Sequence, residues 1–111
     1  MLISKHWLQK FFDTPLPASE VLGSTITLHA FEIDGIASNG GDDIFDIKIT
    51  PNRGHDCLSH RGIAKEVSAI LKIPLTSDPL AETPVLAPVT DKIKVSIEDT
   101  DFCPRYIAGY I

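Results

Sequence analysis

The chain has 111 residues, a formal net charge of −5 at neutral pH, 43% hydrophobic and 23% charged residues, the balance of a folded globular protein rather than a disordered one. That length suits one compact domain with a short appended piece, and the negative charge excludes a chain-wide electrostatic clamp on nucleic acid. No run approaches the ~20 apolar residues that cross a bilayer, the start lacks a basic region followed by a long apolar one, and Cys57 and Cys103 are too few for a disulfide scaffold, so a cytoplasmic protein with two reduced thiols is expected.

Ser4 is placed to cap a first helix, with Ile3 and Leu8 packing together as a hydrophobic staple. Trp7, Leu8, Phe11 and Phe12 follow at helical spacing. Core packing is the reading taken for this stripe, because base-stacking aromatics usually sit exposed among basic residues. Pro15 and Pro17 then break the chain before a second helix at about 18–29. Gly23 and the run Thr25-Ile26-Thr27 are poor helix formers, so contacts through Val21, Leu22 and Ile26 must hold it.

Residues 31–36 and 44–50 both alternate apolar and polar side chains, and the segment 37–43 between them contains Asn39-Gly40-Gly41. The pattern is a β-hairpin with its tip at 37–43. After the stop at Pro51-Asn52-Arg53-Gly54 the period changes: Ile63, Val67, Ile70 and Leu71 form one helical stripe from about Ser59 to Ile73-Pro74. Four prolines between 74 and 91 mark a linker. Residues 92–97 and 106–111 alternate again, which predicts two strands opening a second, incomplete domain.

The chemistry-bearing residues gather between 46 and 67. His55, Cys57 and His60 are close in sequence but lack a fourth zinc ligand, and Cys57 with His60 lacks the third residue of a nucleophile–base–orienter set. Asp42, Asp43 and Asp46 lack the spacing of a calcium loop, and neither a phosphate loop nor a dinucleotide glycine fingerprint is present. Neither a catalytic nor a metal-binding residue is therefore assigned. Asn52 suits a turn, Arg53 is placed to clamp a carboxylate of a neighbouring segment or to reach a phosphate, and Arg61 in the first turn of a helix calls for an acidic partner. Together with His60 and Lys65 they are the candidate contacts to RNA or to another subunit.

The strand Asp46, Ile47, Ile49, then Thr50-Pro51-Asn52-Arg53, Asp56-Cys57-Leu58-Ser59 and Arg61-Gly62-Ile63-Ala64-Lys65-Glu66-Val67 resemble the N-terminal region of the bacterial phenylalanyl-tRNA synthetase beta subunit. Met1-Leu-Ile-Ser with Trp7-Leu8, residues 31–36 and Cys103-Pro-Arg-Tyr106 resemble neighbouring parts of the same family. The chain departs from it in joining residues 36 and 44 directly, where the family usually carries an oligonucleotide-binding barrel, in a corner one residue longer, and in Ala30 where glycine is common. The resemblance implies an α+β fold of three helices and a hairpin, winged-helix-like in arrangement, over 1–74. A linker at 75–91 and the start of an editing-type (B3/B4-like) domain at 92–111 would follow. It further implies a non-catalytic structural and interface portion of an enzyme that joins phenylalanine to tRNA with ATP and magnesium, as two alpha and two beta subunits. Ile63, Val67, Ile70, Trp7 and Phe11 would form the core. The alternative is a stand-alone tRNA- or nucleic-acid-binding winged-helix-like module.

Overall fold

A computed structural model describes residues 1–81 and 91–109. The expected α+β class holds; over 1–74 there is one strand more than the alternation predicts, and four helices stand where three were expected, because the corner before the last helix makes a short turn of helix of its own. Strand β1 (Leu2–Ser4) precedes helix α1 (Lys5–Gln9) and helix α2 (Ser19–His29). The hairpin β2 (Ile33–Asn39) and β3 (Asp42–Ile47) comes next, then a 3-10 turn (Pro51–Arg53), the single-turn helix α3 (Gly54–Cys57) and helix α4 (His60–Leu71). The sheet order is β1-β3-β2, all antiparallel. Three residues are too few to show a period, which is why β1 was not legible; it is fixed by pairing Ile3 with Phe45 across the sheet.

The hairpin is tighter than expected. Pairing runs on to Asn39 opposite Asp42, so the turn is Gly40-Gly41 alone, with φ of 59° and 86°. Two consecutive left-handed residues match the right-handed twist of the strands, and glycine adopts them without a Cβ clash. At its other end β3 stops at Ile47 rather than Thr50, although Lys48 N–H still donates to Glu32 O at 2.9 Å. A register shift between Ile33 and Gly35 changes the alternation of β2.

One sheet face receives the helices. Ile3, Phe45 and Ile47 join Leu8, Phe11, Phe12, Leu16, Leu22, Ile26, Phe31, Cys57, Ile63, Ala64 and Val67 in a single buried cluster. Three expected core residues lie elsewhere. Trp7 is 55% and Val21 54% exposed, and Ile70 is only half-buried. α1 spans five residues and buries only Leu8, so Trp7, one position earlier, turns outward; α2 buries Leu22, Gly23 and Ile26 and leaves Val21 on the opposite side.

Helix ends follow the sequence. Ser4 Oγ accepts from Trp7 N–H at 2.9 Å and Ser59 Oγ from Gly62 N–H at 3.0 Å, as N-caps do. α2 ends at His29 without a left-handed residue: Ala30 has φ −139° and its N–H donates to Ile26 O at 2.8 Å, so the missing glycine is not needed. α4 ends two residues short of Ile73, at a left-handed Lys72 with φ 56°. Leu75 then packs against the core, and Thr76 and Ser77 N–H both donate to Phe11 O, at 3.0 and 3.4 Å. Residues 82–90, most of the expected linker, lie outside the described residues, as do 110 and 111. The strands expected at 92–97 and 106–111 are not formed among the described residues, where Val95, Phe102, Tyr106 and Ile107 are exposed; two strands with no third strand or helix to cover them are marginal in water.

Candidate functional site

The corner between β3 and α4 is organised around Arg53. Its Nε and terminal nitrogen donate to Asp56 at 2.8 to 3.2 Å, the same nitrogen donates to Glu66 on α4 and approaches Cys57 Sγ at 3.2 Å. The guanidinium carbon sits 5.5 Å from the centre of the Phe31 ring, a distance at which a cation is drawn to the ring face. The planar fork of arginine thus joins the 3-10 turn, α3, α4 and the link between α2 and β2 in one group. The carboxylate clamp expected of Arg53 is realised, with Glu66, thirteen residues on, as the partner that spacing could not reveal.

This arrangement bears on the rival chemistries of Cys57. Among the described residues, the acidic and thiol groups close enough to share an ion are Asp56, Cys57 and Glu66, and Arg53 donates to all three. Burial pushes the Cys57 thiol up to about 11, the opposite of an activated nucleophile. Asp56 is held below the usual carboxylate range by its bond from Arg53. The trio His55, Cys57 and His60 is not assembled: His55 is exposed beside Asp56, and His60 faces α1.

His60 Nε2 accepts a hydrogen bond from Ser4 N–H at 3.0 Å, and its ring stacks on Trp7 with centroids 4.0 Å apart and planes 19° from parallel. Partial burial lowers its pKa, against a smaller opposing pull from Asp42. A neutral imidazole is what the acceptor role requires. Asp42, in turn, accepts from His6 N–H at 2.8 Å and from the Ser4 hydroxyl, and these bonds lower its pKa. The hairpin tip is thereby tied to the start of α1, a link that sequence patterns gave no sign of.

Arg61 finds the acidic partner that its position demanded. It holds Asp78 in a two-pronged pair, Nε to Oδ1 at 2.6 Å and the terminal nitrogen to Oδ2 at 2.7 Å, which lowers the Asp78 pKa to about 2. Lys65 is exposed on α4, and its charge contributes in a minor way to the same shift. Asn52 is exposed in the 3-10 turn. Gly62 has a reason of its own: a Cβ there would lie 2.0 Å from Asp56 O and 2.7 Å from Cys57 Cα, so only glycine lets α4 pass the corner.

The fold and this site define a small α+β module in which most of the polar residues singled out by the sequence join one element to the next. No family profile matches the chain. Curated relatives do: it is 32% identical over its whole length to the phenylalanine–tRNA ligase beta subunit of Rhodopirellula baltica, covering 16% of that protein. Over 63% of its length it is 47% identical to the beta subunit of Ralstonia nicotianae and 43% identical to that of Geobacter metallireducens, covering 8% and 9% of those proteins. The chain is homologous to a stretch of phenylalanine–tRNA ligase beta subunits, and it spans about a sixth or less of the relatives it matches.

Proposed function

We propose that the chain serves as a non-catalytic structural and interface portion of a phenylalanine–tRNA ligase beta subunit, drawn from its N-terminal region. The observation that carries this reading is the end-to-end similarity to the Rhodopirellula baltica beta subunit, which takes in both hairpin strands and the turn between them. The parent enzyme would charge tRNA with phenylalanine in the cytoplasm, using ATP and magnesium bound elsewhere, as an assembly of two alpha and two beta subunits. Arg53 and Arg61 act in this reading as internal fasteners that fix the shape presented to the rest of the enzyme. The helices on one face of a three-stranded sheet support a winged-helix-like arrangement over 1–74, with 75–91 as linker and 92–111 as the entry to an editing-type domain. Among the described residues, no helix is long and apolar enough to cross a membrane.

A graft tests the proposal. Residues 1–74 replace the matching residues of the Rhodopirellula baltica beta subunit, which is then produced with its alpha subunit. Assembly and phenylalanine charging within about threefold of the parent are expected. A soluble chimera that fails to assemble would overturn the reading.

A further inference from the structure

Met1 is bound at three points. Its α-ammonium donates to Asp46 Oδ1 at 3.0 Å and to Ile47 O at 2.7 Å, and its own carbonyl accepts from Ile47 N–H at 2.9 Å. The two backbone bonds form a hydrogen-bonded antiparallel pair that carries the register of β1 and β3 one residue further. The Met1 side chain is 19% exposed and packs against the core. First residues usually fray unless something ties them down; here the amine is the tie.

More than one residue depends on it. β1 has only three residues of its own, yet Ile3 is buried in the core, and Ser4 both caps α1 and donates its N–H to His60. Donor count decides what can stand in the place of the amine. An ammonium has three N–H donors and serves two acceptors at once, whereas the nitrogen of an acylated amine is an uncharged amide with a single donor. Capped, Met1 can keep Ile47 O or Asp46 but not both, and the cap adds a further carbonyl where two acceptors already meet. Asp46 is half exposed, so the ion pair alone adds little; the amine matters because it closes the ladder and the ion pair together.

We propose that the α-amino group of Met1 is a modification-sensitive anchor: β1 docks fully on β3 when the amine is free, and an N-formyl or other acyl cap releases it. Where synthesis starts with N-formylmethionine, a hydrolytic deformylation must then come before the fold closes. That step adds water across the formyl C–N bond and releases formate, and the amine takes up the proton as the ammonium that Asp46 and Ile47 O receive.

The test compares the 111-residue chain in three forms, each checked by intact mass: with a free amine, with the formyl group retained by inhibiting the deformylase of the expression host, and with one glycine placed before Met1. Hydrogen exchange at Ile47 N–H, which Met1 O holds, should be at least about fivefold faster in the formylated and the extended chain than in the free one, with Val67 in α4 little changed. Asp46→Asn, introduced into each form, should reduce the effect of the cap by about half or more, because part of what the cap removes is already gone. If the formylated chain does not fold, deformylation followed by refolding from urea should restore it, and a chain that stays unfolded overturns the proposal. Equal exchange in all three forms overturns it, as does a cap effect that Asp46→Asn leaves at full size. Protein recovered from its natural source with Met1 blocked or extended and with slow exchange at Ile47 overturns it too.

Discussion

The corner at 50–66 and the face of α1 carry similar residues and use them in opposite ways. In the corner, arginine, aspartate, glutamate and cysteine are satisfied by one another, and Gly62 removes even the space for a Cβ. On α1, Trp7 turns outward, as does Lys10 just past its end, and only the far side of the indole is occupied. The comparison shows that residue type alone does not mark a site. The corner, richest in reactive groups, is a fastening, and the stripe read as core presents the exposed ring.

Gly62→Ala separates the two regions most sharply. Its Cβ meets a backbone carbonyl, and backbone cannot swing aside, so a loss of about 3 kcal/mol or more is expected in urea unfolding, at the upper end of overpacking costs. Gly23→Ala is the control: its Cβ would come within 2.9 Å of Ile36 Cδ1, the far end of a flexible side chain, and should cost less than about 1.5 kcal/mol. Equal losses would mean that the tight approach at Gly62 does not constrain the corner.

Next in size is the fork of Arg53. Arg53→Lys keeps the charge but loses the planar geometry that reaches Asp56 and Glu66 together, so its urea midpoint should fall nearly as far as that of Arg53→Ala. Lys65→Ala, on the exposed side of α4, should stay within about 0.5 kcal/mol of the parent. A lysine that fully restored the midpoint would reduce Arg53 to a point charge.

Much of this was legible beforehand because it is local. The Ser4 N-cap, the change of period at Ser59, the hairpin and the need of Arg61 for an acid are all written within a few residues of where they act. What was not legible depends on distance or on shortness. Glu66 and Asp78 are partners chosen by the fold, β1 is too short to show a period, and the outward turn of Trp7 follows from a helix of only five residues. Ile70 joined the stripe by spacing, yet α4 presents Ile63, Ala64 and Val67 to the core and leaves Ile70 at the margin.

His60 gives a pH test of the α1 face. Its folded pKa lies below the ordinary 6.5, so the unfolded chain takes up the proton first; the contribution to stability is present above about pH 6.5 and is lost as pH falls through the folded value. Trp7 fluorescence should be flat from pH 8 to about 6.5 and then drop as the imidazolium forms against the indole and releases Ser4 N–H. The midpoint should lie below 6.5 and the drop should vanish in His60→Gln. A midpoint above 6.5 would contradict the neutral, acceptor form of the ring.

The smallest global effect belongs to the Arg61–Asp78 pair, which lies at the surface where screening limits what an ion pair adds. Its consequence is local. Asp78 follows two backbone amides, Thr76 and Ser77, that both reach Phe11 O at the end of α1, so the pair holds the departing chain against the module and sets its direction. Asp78→Asn should leave the unfolding midpoint nearly unchanged while hydrogen exchange at Thr76 and Ser77 speeds up severalfold. In the parent the same release should come with acid: the Asp78 pKa is depressed to about 2, so its contribution is present above about pH 4 and is lost as pH falls through about 2. Exchange at these two amides that ignores both the substitution and the acid would show that Leu75 alone, packed on the core, holds the segment in place.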